Sequence, residues 1–94
     1  MTVRVLVPME ALPGKGADYV KARLPRHDEV RAEPGCEQFD LFQNTQNPDQ
    51  LLLVERWTDE ASLAVHAELN KTRPPLGNEF RASPSGKSER YITE

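Results

Sequence analysis

Cysteine and histidine are scarce in this chain of 94 residues. Cys36 is the one cysteine, and His27 and His66 are the two histidines. One thiol excludes a disulfide within the chain and a cysteine-rich zinc cluster, and two histidines 39 positions apart do not form a metal-binding motif. We interpret Cys36 as a small buried hydrophobic residue and expect no metal site.

Apolar and aromatic side chains are also few, at 37% and 6% of the residues. A chain of this length forms one domain, here residues 1–94, and a domain so small buries only about two-thirds of the surface that its unfolded chain exposes. The predicted core is therefore thin. Burial of part of the surface against a second copy would complete it.

Neither sign of charge dominates, since 12 Lys and Arg oppose 15 Asp and Glu and leave a net charge of -3. Nucleic acids and anionic membranes attract basic surfaces, so we expect neither as a partner. The sequence also lacks an apolar run of signal-peptide or transmembrane length and a glycine-rich nucleotide fingerprint. We expect a cytoplasmic protein that carries no flavin, nicotinamide, haem or metal cofactor.

The hydrophobic pattern of the first half predicts a strand, a helix and a second strand. Residues 3–7 alternate with period two, and Pro8 fits near the end of such a strand. Residues 17–32 have helical spacing, in which Pro25 predicts a kink or a break and His27 takes a solvated or capping position. The EPG sequence at 33–35 stops the helix, and alternation returns over residues 36–44.

The second half predicts a strand over residues 51–57 and a helix from about residue 59 to about residue 70. Leu76 and Phe80, four positions apart, indicate a short helical piece, residues 83–86 a loop, and residues 89–93 a last strand. The order β-α-β-β-α-(α)-β predicts an α+β, ferredoxin-like split βαβ fold with an antiparallel sheet and helices on one face.

Residues 51–54, with the sequence LLLV, are apolar on both faces of their strand. One face packs on the helices, and a monomer would leave the other face in water. We therefore expect a homodimer that packs sheet against sheet as a dimeric α/β barrel.

Several short motifs together resemble one known family. They are EPGC at 33–36, FDLF at 39–42, LVERW at 53–57, DEASL at 59–63 and His66. In this combination they resemble the antibiotic biosynthesis monooxygenase (ABM) domain, and the resemblance extends from about residue 3 to about residue 92. It implies a dimeric α+β barrel of ferredoxin-like subunits, with a pocket between the sheet and the helices.

The resemblance implies several activities, because some members oxidise phenols or hydroquinones to quinones with molecular oxygen alone, others degrade haem, and others act on a phosphorylated sugar. Trp57 matches a tryptophan of the quinone-forming and haem-degrading members. The quinone-forming pattern has Asn where this chain has Leu53 and Tyr where it has Leu63. The haem-degrading pattern has Asn where this chain has Met9, and a later His that does not follow His66 here. Haem degradation is therefore not expected.

Three polar side chains are the predicted catalytic groups. Trp57 would donate a hydrogen bond or stack on the substrate, His66 would assist proton transfer, and Arg56 would stabilise an anionic oxygen. The predicted lining of the substrate pocket is apolar: Phe39, Leu53, Leu63 and Phe80.

Each catalytic candidate also has a structural interpretation. Trp57 and His66 are also compatible with packed core residues whose polar atoms find partners. Arg56, together with Asp40 and Glu55, is typical of strand charges that protect an edge or pair across strands.

The functional hypothesis is a cofactor-independent monooxygenase that oxidises a small phenolic or hydroquinone substrate. A deprotonated phenol is electron-rich enough to react with oxygen directly, so the protein need supply only a dry pocket, a base and hydrogen-bond donors. The alternatives are a small-molecule-binding or structural dimer without turnover and a non-oxidative isomerase or lyase.

Overall fold

The computed structural model describes residues 2–82 and 87–93, and the loop predicted over 83–86 lies outside this part. Three elements form the first half of the chain: β1 (Thr2–Glu10), α1 (Gly16–Arg31) and β2 (Cys36–Gln43). The second half contains β3 (Gln50–Trp57), α2 (Glu60–Thr72), a single 3₁₀ turn (Asn78–Phe80) and β4 (Glu89–Thr93). The predicted order of elements is confirmed.

The four strands form one antiparallel sheet in the order β2-β3-β1-β4. Strands β1 and β3 are central, and the two helices pack on one face of the sheet, as the ferredoxin-like prediction requires. The alternation of side chains along β1 and β3 directs Val3, Val5 and Met9 and their cross-strand neighbours toward the helices. The buried core on this face comprises Val3, Val5, Met9, Ala11, Tyr19, Val30, Phe39, Leu51, Leu53, Trp57 and Leu63.

Strand β1 continues beyond its predicted end and includes Pro8, which pairs with Leu52 of β3. Its other neighbour, β4, pairs only with residues 2–6. At Pro8, β1 therefore has no pairing with β4. Because of this, the missing backbone N–H of the proline costs no hydrogen bond to β4.

Pro25 does not break α1, contrary to one of the two predicted outcomes. The helix runs without interruption from Gly16 to Arg31, with Pro25 exposed inside it. Buried residues anchor the helix before and after the proline, Tyr19 on one side and His27 and Val30 on the other. Tertiary packing therefore holds both halves in place despite the hydrogen bond that the proline ring removes.

The turn after α1 is held against the start of α2. Gly35 has a φ of 84°, in the left-handed region, and a Cβ added to it would meet Ser62 Oγ at 2.2 Å. Only glycine allows this approach without displacement. Asp59 caps α2 by accepting a hydrogen bond from the Ser62 amide at 2.8 Å. The close approach of Gly35 to Ser62 holds the end of α1 beside the start of α2, and Glu33 therefore lies close to His66.

The second face of the sheet carries no helix. Leu52 and Val54 of β3 lie on it with Leu6 and Phe42, and charged side chains, among them Arg56, surround these four residues.

None of the helices in the described residues combines the length and the hydrophobicity that a membrane span requires.

Candidate functional site

A cavity of about 310 Å³ opens between the helix-covered face of the sheet and the two helices. This volume lies at the lower end of the range typical of small-molecule sites. Its floor is apolar and its mouth is basic. The principal lining residues are Val7, Met9, Tyr19, Arg23, Arg26, Val30, Phe39, Leu53, Glu55, His66, Arg73 and Arg81.

Trp57 is completely buried at the end of β3, beside this cavity. Because residues 55 and 57 lie on the same face of the strand, its indole reaches the Glu55 carboxyl group. Trp57 Nε1 donates a hydrogen bond to Glu55 Oε1 at 2.9 Å. The indole N–H is thus already satisfied within the protein, by a hydrogen bond that also orients the Glu55 carboxyl group.

His66 lines the cavity from α2 and is held on both sides. Its ring lies 4.7 Å from the Trp57 ring, with an angle of 30° between the planes. Its Nδ1 is 3.1 Å from Glu33 Oε1, and Arg73 donates a hydrogen bond to Glu33 Oε2 at 2.7 Å. A carboxylate at Nδ1 favours the tautomer that carries its proton there, which leaves the Nε2 lone pair as an acceptor.

Glu55 is buried rather than exposed at an edge, so the prediction that it protects an edge or forms a cross-strand pair is wrong. Its side chain faces the helices, and Oε1 lies 3.9 Å from His66 Nε2. Burial raises the pKa of Glu55, and the hydrogen bond from Trp57 opposes that rise. The site therefore holds an imidazole between two carboxyl groups, those of Glu33 and Glu55.

His27 is also buried, at 1% exposure, and the prediction of a solvated or capping position is wrong. Arg23 Nε donates to His27 Nε2 at 3.4 Å, and the imidazole packs 4.8 Å from the Phe39 ring. Its Nδ1 has no hydrogen-bond partner among the described residues. Burial, with the nearby Arg23 and Arg31 charges, lowers the pKa of His27 to about 4, so the ring is neutral at ordinary pH.

The structure brings together some of the predicted site residues. Phe39 and Leu53 line the cavity with His66, and Trp57 lies directly behind His66. Leu63 is buried in the core, and Phe80 packs against that core, but neither lines this cavity.

Arg56 does not join the site within one chain. It lies next to Glu55 in sequence, and alternation along the strand therefore directs it to the other face of the sheet. There its Nε is 3.3 Å from Glu37 Oε1 on β2. This is the cross-strand ion pair that the structural interpretation predicted for it.

Sequence reasoning missed the arginines of the cavity mouth. Arg23 and Arg26 lie on α1 among the buried positions Tyr19, His27 and Val30. Both arginines lie three or four residues from a buried position, so they fall on the inward face of the helix. Their charge concealed the signal, because arginine on a helix ordinarily points to solvent.

No group of three or more metal-ligating side chains is arranged for a metal ion within residues 2–82 and 87–93. Cys36 is half-buried and packs against the core, and burial raises the pKa of its thiol. It therefore packs as a small hydrophobic residue, but it is less buried than predicted.

Together, the sheet, the helices and the enclosed cavity define a ferredoxin-like α+β domain with one buried histidine facing the space between its layers. The family model for antibiotic biosynthesis monooxygenase matches residues 2–73. The chain belongs to this family, as its motifs predicted.

The chain is also similar to one curated protein and to solved structures. A Bacillus subtilis (strain 168) protein named "Putative monooxygenase YcnE" is 30% identical over 56 residues, which cover 60% of this chain and 59% of that protein. The crystal structure of PA3566 from Pseudomonas aeruginosa has a TM-score of 0.79 at 25% identity, over 99% of this chain and 94% of that chain. Rv0793 from Mycobacterium tuberculosis has the same fold, with a TM-score of 0.76 at 22% identity over 100% and 96% of the two chains.

Proposed function

We propose that the protein is a monooxygenase that oxidises a small phenol or hydroquinone with molecular oxygen in the cavity between sheet and helices. The observation that carries the proposal is His66, a buried imidazole whose Nδ1 is held by Glu33 and whose ring faces an aromatic-lined cavity. The family membership supports oxygenase chemistry in general, and the substrate class rests on this arrangement.

His66 is placed to remove the proton of a phenolic hydroxyl. Glu33 accepts from Nδ1, so Nε2 is the basic atom, and the positive charge that forms on the ring is stabilised by the same carboxylate. Arg73 fixes Glu33 from the other side, which makes it a positioning residue. Phe39 and Leu53 exclude water from the space in which a phenolate would form.

The phenolate can then react with oxygen without another reductant. It passes one electron to oxygen, and the resulting phenoxyl radical and superoxide combine to form a carbon–oxygen bond at the ring. The oxygen–oxygen bond breaks as the ring carbon loses its hydrogen, which yields the quinone carbonyl and hydroxide. The proton on His66 converts hydroxide to water, so a phenol and one oxygen molecule give a quinone and one water molecule.

The proposed active unit is a homodimer formed through the helix-free face of the sheet. Leu6, Leu52 and Val54 give that face an apolar centre, and Phe42 is 51% exposed on it. A hollow of about 450 Å³ that includes Pro8, Phe42 and Leu52 lies at one end of this sheet. A second copy would cover these side chains and add the burial that the thin core lacks.

Oxygen uptake tests the proposed reaction. We expect consumption of one oxygen per quinone formed with at least one member of a phenol and hydroquinone panel, and a loss of about 10-fold or more in kcat for His66→Gln. Glu68→Gln, which removes a charge on the exposed side of the same helix, is the matched control and should leave the rate unchanged. Turnover without oxygen uptake would indicate an isomerase or lyase, and binding without turnover a carrier; either outcome contradicts the proposal.

A further inference from the structure

Four arginines line the cavity, but they differ in how their charges are balanced. Arg26 Nε lies 3.2 Å from Glu29 Oε2, and Arg73 lies 2.7 Å from Glu33 Oε2. Each of these two arginines thus has a carboxylate within salt-bridge distance. Arg23, which also lines the cavity, differs from these two.

Arg23 has no carboxylate partner within salt-bridge distance among the described residues. Its Nε donates to the neutral imidazole of His27 at 3.4 Å, and its guanidinium lies 5.9 Å from the centre of the Tyr19 ring. The side chain is half-buried, and this burial lowers the pKa of the guanidinium. A partly desolvated cation without an anion is unfavourable unless something else in the site pairs with it.

The position of Arg23 is fixed before any ligand arrives. Tyr19 and His27, its two neighbours on α1, are each 1% exposed and therefore cannot move aside. A guanidinium held in one orientation loses little entropy when it binds a planar anion through two parallel hydrogen bonds. This geometry suits a carboxylate.

The rest of the cavity restricts where an anionic group can lie. Phe39 and Leu53 form an apolar floor, which suits an aromatic ring. Glu55 lies beside His66 at the inner end, and a second carboxylate there would be repelled. The favourable position for a ligand anion is therefore the arginine mouth.

We infer that the ligand of this cavity is an aromatic acid, whose carboxylate pairs with Arg23 while its ring lies on Phe39. The hydroxyl group at the opposite end of the ring would then face His66, and this part of the inference rests on the proposed function. Recognition of the carboxylate does not, because it depends on Arg23 and not on the reaction.

Calorimetric titration under anaerobic conditions tests recognition of the ligand carboxylate separately from turnover. The probes are para-hydroxybenzoate and a hydroxynaphthoate, each compared with its methyl ester, which keeps the ring and hydroxyl group and removes the charge. We expect the wild-type protein to bind at least one acid about 10-fold or more tightly than its ester, as a charge-assisted pair does. Equal affinities, or no binding of either form of both probes, would overturn the inference.

Variants of α1 test whether Arg23 is the residue that recognises the carboxylate. Arg23→Gln should abolish the preference for the acid and leave the affinity for the ester unchanged, whereas Arg23→Lys should retain part of it. Lys21→Gln removes a charge from an exposed position of the same helix and should retain the full preference. If Arg23 serves only to stabilise the Glu55 charge, Arg23→Gln will change acid and ester alike, which contradicts the inference.

The two proposals fail in different ways. His66→Gln should still prefer the acid to the ester, because His66 does not contact the carboxylate. Acid preference without oxygen uptake would therefore contradict the proposed reaction alone, and oxidation of neutral phenols without acid preference would contradict the aromatic-acid assignment alone.

Discussion

At the scale of single residues, the two histidines are buried in opposite electrostatic settings. His66 lies between two carboxyl groups, whereas His27 lies beside Arg23 and has an unpartnered Nδ1 in the described structure. The first setting offers hydrogen-bond acceptors to the ring, whereas burial and the nearby arginine charges oppose protonation of His27. One histidine is thus suited to proton transfer, and the other contributes to packing.

The stability of the fold should depend on pH through His27. The unfolded chain takes up a proton near pH 6.5, but the folded chain does so only near its lowered pKa of about 4. Protonation therefore favours the unfolded state as the pH falls through this window, and the contribution at pH 5 is about 2 kcal/mol. We expect urea denaturation to show this loss between pH 7 and pH 5 in the wild type and not in His27→Gln.

The comparison with His27→Gln is needed because Glu55 acts in the opposite direction. Its raised pKa makes the folded state bind more protons above pH 4.5, so its contribution to stability grows as the pH falls. The same loss in both proteins would contradict the role of His27.

Some of these positions were predictable and others were not. Period-two alternation placed residues 53, 55 and 57 on one face and residue 56 on the other, so the positions of Glu55 and Arg56 were implicit in the pattern. The residue type predicted an exposed position for Glu55, because glutamate is rarely buried unless it has partners. Those partners, Trp57 and His66, are contacts that only the three-dimensional structure reveals.

At the scale of elements, the site depends on the contact between the end of α1 and the start of α2. Gly35→Ala should force the turn away from Ser62 and move Glu33 from His66, so both the free energy of unfolding and the oxidation rate should fall. Gly14→Ala is the matched control, because Gly14 has a similar φ of 78° but nothing within 4 Å of an added Cβ.

The difference between these two variants isolates the steric contact from backbone strain. We expect Gly35→Ala to be the more destabilised of the two by about 1 kcal/mol or more in chemical denaturation. Equal losses would show that Ser62 yields and that the contact does not position the site. The sequence predicted the turn from Pro34 and Gly35, but not its neighbour on α2, because that contact joins distant parts of the chain.

At the scale of the whole molecule, the order of elements was predictable from the alternation in β1 and β2, the apolar run in β3 and the residues that bound the helices. Assembly is the remaining expectation at this scale. Phe42 on the helix-free sheet face and Val65 on α2 are matched probes, since they are 51% and 57% exposed. Both are apolar, but only Phe42 lies on the proposed interface.

Sedimentation velocity distinguishes these two surfaces. The wild-type chain should sediment as a dimer at micromolar concentration, Phe42→Asp should shift toward monomer, and Val65→Asp should remain a dimer. A charge placed in a buried apolar interface is strongly unfavourable, whereas the same charge on an exposed helix surface is not. A wild-type monomer, or dissociation caused by Val65→Asp alone, would contradict the sheet-to-sheet arrangement.

Trp57 has a consequence for spectroscopy, because it is the single tryptophan of the chain and is completely shielded from solvent. Its ring lies against His66 and its N–H points to Glu55, so all of the indole fluorescence originates directly behind two residues that line the cavity. Emission intensity and wavelength therefore report the charge on His66 and the arrival of a ligand, without an attached dye. Trp57 is therefore an intrinsic fluorescent probe beside the proposed site of reaction.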